Sequence, residues 1–132
     1  DFITDEGLVI SNKDITTPPP ETLSYAYCSD TMYFARLPSF VRNVDLLYHE
    51  ATFDGSMTKL AKKVMHSTTL DAAKTALKAN AGTLMIGHFS ARYDDVTPLV
   101  EEARTIFPAT IPAIDGNTYN VKELSVRNRP LD

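Results

Sequence analysis

Three histidines occur in this chain, and each opens a short polar motif: His-Glu-Ala-Thr-Phe at 49–53, His-Ser-Thr at 66–68 and His-Phe-Ser-Ala-Arg-Tyr at 88–93. A fourth motif, Tyr-Cys-Ser-Asp-Thr at 27–31, ends an apolar stretch at Asp30. Imidazoles and carboxylates at strand ends are the groups from which a hydrolytic metal site is built. Each motif also has a local structural reading. Asp30 could be a turn or N-cap aspartate, and His88 a hydrogen-bonded residue closing a strand. His49-Glu50 could be a buried polar pair, and His66-Ser67-Thr68 a helix start. Arg92 could clamp a phosphate through its guanidinium fork or simply face solvent. Ser90 could add a hydroxyl contact or serve in a turn.

The elements that must carry these motifs alternate. Phe2 to Ile10 reads as two short extended pieces around Asp5-Glu6-Gly7, a hairpin signal. Residues 11–21 form a polar connector in which Pro18-Pro19-Pro20 favours polyproline II. Leu23 to Cys28 reads as a strand, Tyr33 to Val44 as a short helix broken or started by Pro38, and Asp45 to His49 as a buried strand. Met57 to Met65 and Thr69 to Ala79 read as helices, the second with Leu70, Ala73 and Leu77 at helical spacing. Thr68 and Asp71 form a capping-box-like start for it. Thr83 to Ile86 is a short buried strand closed by Gly87. Thr97-Pro98 opens a further helix with Leu99, Ala103 and Ile106 on its apolar stripe. Ile111 to Ile114 and Tyr119 to Leu124 flank Asp115-Gly116-Asn117, a second hairpin signal. Strands alternating with helices make the class α/β.

Composition sets outer bounds. The chain has 132 residues, which suggests one domain, and it is 43% hydrophobic and 23% charged, as an ordinary globular protein is. It contains no apolar run of membrane-spanning length and does not open like a signal peptide. The start, Asp1-Phe2-Ile3, suggests a processed product or a fragment. The formal charge of −4 argues against nucleic-acid binding by bulk charge. A local basic patch beside a metal centre would still suffice. The single cysteine, Cys28, excludes an internal disulfide and fits a reducing cytoplasm. Its place in an apolar strand makes it a small buried hydrophobe.

Taken in order, the four motifs resemble ribonuclease Z, a family with the metallo-β-lactamase fold that matures the 3′ ends of transfer RNA precursors. The resemblance covers nearly the whole chain and corresponds to the family's C-terminal half. It implies half of an αββα sandwich, with a mixed sheet and helices on one face. It implies zinc, two ions in the intact enzyme, with Asp30 bridging them and His88 ligating one. Glu50 and His66 then form a pair near the scissile phosphate. The carboxylate fixes the imidazole tautomer, and the imidazolium donates a proton to the leaving oxygen. Arg92 and Ser90 become the phosphate contacts. Precursor transfer RNA is the implied partner and a homodimer the implied assembly. The closing segment at 113–119 looks like the family's terminal hairpin.

Two departures stand beside the resemblance. Cys28-Ser29 occupies the place where relatives often have Ser-Gly. The family's His-x-His-x-Asp-His motif and a further histidine, which lie N-terminal to this segment, have no counterpart here. Residues 1–132 are therefore expected to be the C-terminal part of a metallo-β-lactamase-type domain, a cut product or a truncated chain. Alone it should be inactive and bind zinc weakly or not at all. Half of a sandwich also leaves an apolar face, so pairing with itself or with a missing segment is expected. The alternative functions are a phosphodiesterase of the same fold with another substrate, or a non-catalytic interaction domain.

Overall fold

The computed structural model describes residues 1–20 and 22–126. Glu21, the end of the proline-bearing connector, and residues 127–132 lie outside the described part.

Four strands form the main sheet: β3 (Tyr25–Cys28), β4 (Leu46–Glu50), β5 (Thr83–Gly87) and β6 (Thr110–Pro112). They lie in chain order and every pairing is parallel. Parallel neighbours need crossovers, and helices supply them. The helix α2 (Leu37–Phe40) lies between β3 and β4; α3 (Thr58–Lys63) and α4 (Thr69–Ala79) lie between β4 and β5; α5 (Thr97–Arg104) leads to β6. A separate antiparallel pair, β1 (Phe2–Ile3) with β2 (Val9–Ile10), turns through Gly7 at φ +80°, and a four-residue helix, α1 (Asn12–Ile15), follows it inside the expected connector. The expected mixed sheet is thus two sheets. The two-residue hairpin strands pair only with each other, and the crossovers keep the main sheet parallel.

The core lies between this sheet and α4–α5. Leu47, Ala51, Leu84 and Ile86 face Ala72, Ala73, Ala76, Val100 and Ala103. Small residues let α4 approach closely. Leu77, expected on the apolar stripe of α4, is 57% exposed, and the buried face is instead Thr69, Ala72, Ala73, Thr75, Ala76 and Ala79. Size misled the periodicity there: alanine and threonine fill the close approach, and leucine stays outside. Helices do not keep wholly to one face. Thr83 alternates with the core residue Leu84, and its hydroxyl donates to the carbonyl of Leu124 in α6 (Val121–Val126).

That helix replaces the second expected hairpin. Gly116 turns the chain at φ +81°, as expected. However, the Tyr119 hydroxyl accepts from Ile114 N and donates to the Pro112 carbonyl, so it ties the turn down locally. The Asn120 side chain then accepts from Lys122 N and starts a helix. The expected helix over 33–44 shrinks to α2, four residues with Pro38 in its first turn. The expected capping box is present: Thr68 accepts from Asp71 N, and the Asp71 carboxylate accepts from Thr68 N.

Candidate metal and proton-transfer site

Register places the site. Cys28 pairs with His49, His49 with Ile86, and Glu50 with Gly87. The C-terminal ends of β3, β4 and β5 are therefore level, and Asp30 and His88 emerge just beyond them. This carboxyl edge is where open α/β sheets place their sites. At Gly87 an added Cβ would lie 2.7 Å from the Tyr48 hydroxyl and 3.1 Å from Ala113 Cβ. A side chain at 87 would push against the Tyr48 ring and Ala113, so glycine suits the end of β5.

His66 arrives by a different route. Helix α3 ends in a Schellman motif: His66 N donates to Ala61 O at 2.9 Å and Met65 N to Lys62 O at 3.4 Å. Met65 holds the left-handed position at φ +65°. Phe53 and Thr68 then form a parallel bridge, with Thr69 N donating to Phe53 O at 2.9 Å. That bridge docks the His66-Ser67-Thr68 turn against the extension of β4, beside Glu50.

The structure brings Asp30, Glu50, His66 and His88 together, with one ligand-type atom from each lying within 4.8 Å of all the others. Glu50 is fully buried and accepts five hydrogen bonds. Oε1 takes Thr31 N at 3.0 Å and His66 Nδ1 at 2.7 Å. Oε2 takes Thr52 Oγ1 at 2.7 Å, Ser67 N at 3.1 Å and Thr52 N at 3.2 Å. Burial pushes its carboxyl up, but bonds from Thr52, His66 and Ser67 outweigh this and hold it below the ordinary value. A carboxylate has about four lone-pair sites, so Glu50 has no free lone pair for a metal. It serves as an anchor for the His66 ring, whose Nδ1–H it accepts, leaving Nε2 to face outward.

His88 and Asp30 are arranged differently. The Thr52 hydroxyl spends its one proton on Glu50, so it must accept from His88 Nδ1, 2.8 Å away. In the neutral ring, Nε2 then presents a lone pair, and it lies 3.1 Å from Asp30 Oδ1. With a proton on Nε2 the two form an ion pair, and with the ring neutral their two facing lone pairs leave room for a cation to bridge them. A tetrahedral metal with bonds of ~2.0–2.1 Å would space two ligand atoms by about 3.3 Å. Asp30 and His88 therefore fit a metal, and their side chains are 72% and 42% exposed. Both also hold positive φ, +49° and +59°, an uncommon conformation that aims each side chain off its strand end.

Arg92 and Ser90 flank this cluster. Ser90 N donates to Thr52 O at 3.0 Å, and Arg92 Nε donates to Ser90 Oγ at 3.1 Å. The guanidinium stacks 5.0 Å above the Phe53 ring, whose other contact is His66, edge-on at 6.5 Å. His49 takes no part. Successive strand residues face opposite ways, and His49 is fully buried, with Nδ1 donating to Glu50 O at 2.7 Å. Its Nε2 is a buried atom with no partner among the described residues. Cys28 is free, half-buried and packed against the core.

Sequence reasoning missed Thr52 as a working residue. Its hydroxyl joins the Glu50–His66 pair to His88, and the one available signal was its place inside His-Glu-Ala-Thr. It also missed Ser67, whose amide reaches Glu50 and whose hydroxyl donates to Thr31 O at 2.6 Å.

No family model matches the chain. A curated relative named Ribonuclease Z, from Parabacteroides distasonis, is 47% identical over 121 residues, covering 92% of this chain and 40% of the relative. Another, from Bacteroides thetaiotaomicron, is 47% identical over 113 residues, covering 86% of this chain and 36% of the relative. The chain thus spans about two fifths of the length of the curated relatives it matches. Among solved structures, the metallo-β-lactamase fold protein YhfI from Bacillus subtilis aligns with TM-score 0.60 at 28% identity, over 65% of this chain and 34% of that one. Human tRNase Z, short form, aligns with TM-score 0.53 at 28% identity, over 71% and 30%. A long form RNase Z from yeast aligns with TM-score 0.61 at 25% identity, over 76% and 14%. By sequence and by fold, the chain belongs to the ribonuclease Z family of metallo-β-lactamase-fold proteins, as a segment of a member's length.

Proposed function

We propose that the full-length protein carrying this chain is a zinc-dependent endoribonuclease that removes 3′ trailers from transfer RNA precursors. The carrying observation is the Glu50–His66 pair held directly beside Asp30 and His88. A hydrolytic metal site alone would serve many substrates. A buried carboxylate that locks an imidazole next to it adds a proton donor for a poor leaving group. The names and solved structures of the relatives support RNA as the substrate class.

Asp30 and His88 would help to hold the zinc. Zinc there supplies positive charge that polarises a phosphodiester and stabilises its transition state. His66 holds a proton at Nε2 and delivers it to the leaving oxygen, while Glu50 keeps the ring in register. Arg92, propped by Ser90 and Phe53, orients the phosphate. Two protein ligands fall short of the three or four that zinc takes. We therefore assign residues 1–132 to the C-terminal part of a metallo-β-lactamase-type domain, with the His-x-His-x-Asp-His ligands in the part of the family's length it does not span. Isolated, the chain would be inactive. A homodimer and a cytoplasmic location complete the reading.

The test is cleavage of a precursor transfer RNA by the full-length protein, with and without chelation and zinc re-addition. Zinc-restored release of the trailer is expected. Hydrolysis of small phosphodiesters with no cut in any precursor would favour the other phosphodiesterase reading, which the fit to YhfI also accommodates.

A further inference from the structure

The surface beside His66 is basic although the chain carries a formal charge of −4. A cavity of about 610 Å³ opens at His66 and is lined by Lys62, Lys74 and Lys78, with Tyr33 on its wall. Asp71 is the one acidic group on that lining, and its Oδ2 is engaged by the amide and hydroxyl of Thr68. A second cavity of about 290 Å³ shares Lys78 and adds Arg42. Four cations therefore run outward from His66 along two adjoining cavities.

The arrangement follows from the local fold. Lys62 lies in the last turn of α3, the same turn whose Schellman motif delivers His66. Lys74 and Lys78 stand four residues apart on α4, about 6 Å of helix rise. Like charges at that spacing disfavour the helix slightly. No ion pair relieves Lys62 or Lys74 among the described residues. Lys78 is held in place, its Nζ donating to the Tyr33 hydroxyl at 2.9 Å. Repulsion left standing along one groove is the mark of a polyanion that neutralises it on binding.

We propose that this track binds the sugar–phosphate backbone of single-stranded RNA next to the bond being cut, several phosphates at once. The proposal rests on the function assigned above. The track begins at the proton donor for a phosphodiester, so the anion best placed to fill it is the same strand's next phosphates. A small phosphodiester would reach the metal and Arg92 without touching Lys78 or Arg42.

The experiment compares the full-length protein with its combined Lys62→Ala, Lys74→Ala, Lys78→Ala variant. Cleavage of a precursor transfer RNA is measured across a salt series, beside hydrolysis of bis(p-nitrophenyl) phosphate. For the precursor, KM is expected to rise at least about tenfold at low salt. The salt slope of kcat/KM should become shallower by about 2, at ~0.7 for each phosphate that a lysine no longer neutralises. Maximal kcat and small-substrate hydrolysis should hold within about twofold, because no lysine touches the reacting atoms. The matching Lys→Arg variant should restore KM. An unchanged KM and slope would overturn the proposal, and so would an equal loss on the small substrate, which would mark a structural role. If the unsubstituted protein cleaved no precursor, the assigned function itself would fail and this proposal with it, before any lysine was changed.

Discussion

The two halves of the site are built to opposite standards. The Glu50–His66 half is closed: a fully buried carboxylate saturated by five hydrogen bonds from the 31, 52 and 66–67 segments. The Asp30–His88 half is open: two exposed side chains on positive-φ residues, with His88 Nε2 3.1 Å from Asp30 Oδ1. Proton transfer needs a rigid tautomer, and burial with full hydrogen bonding provides it. A metal half must stay underbonded until its ion arrives. The closed half is complete in the fold itself, and the open one would be completed by a bound cation.

Substitution should separate the halves most sharply at Asp30. In the full-length protein, Asp30→Ala is expected to drop precursor cleavage to background and strip metal, while the unfolding midpoint of the metal-free variant scarcely differs from that of the metal-free parent, since the side chain is exposed. Metal analysis beside thermal melting checks this, and retained metal would break the contrast. His66→Ala should slow cleavage by roughly 10²–10⁴-fold with metal content intact. Loss of zinc there, with zinc kept in Asp30→Ala, would exchange the two roles.

Glu50→Ala strikes stability as well. It leaves the buried amides of Thr52 and Ser67 and the half-buried amide of Thr31 without their acceptor, so a loss of about 3 kcal/mol is expected in urea unfolding. A variant as stable as the parent would show that the closed half is not closed. The same carboxyl sets an acid limit. Its folded value lies below the ordinary one, so the unfolded chain binds the proton more readily. Its stabilisation is full above about pH 4.3 and is lost as pH falls through the folded value. Glu50→Gln should flatten that part of the stability–pH curve. The smallest effect is expected at Met65, exposed and left-handed at the end of α3. Met65→Gly should stabilise by about 0.5 kcal/mol, relief of αL strain less the glycine entropy cost, with cleavage unchanged.

The N-terminal hairpin is a second open surface. Phe2, Ile3, Leu8 and Val9 are 55–65% exposed, and Tyr25 and Tyr27 on the edge strand β3 are as open. These are apolar surfaces of the kind expected of half a sandwich.

Local chemistry made a good deal of this protein legible in its sequence. The capping box at Thr68–Asp71, the extent of the helix over 69–79, proline at the start of α5 and the turns at Gly7 and Gly116 are local features, so their residue types report them directly. The candidate residues Asp30, Glu50, His66 and His88 were legible because each sits in a distinctive short motif. How they divide was settled in three dimensions. Level registry of three parallel strands set Asp30 and His88 together, and the Phe53–Thr68 bridge brought His66 to Glu50 across 16 residues. Long-range packing also decided that Thr52 joins the halves and that Leu77 stays outside while alanines fill the core. Those outcomes depend on which distant partner each group meets. Residue identity constrains that choice only through packing and hydrogen-bond satisfaction of the whole fold.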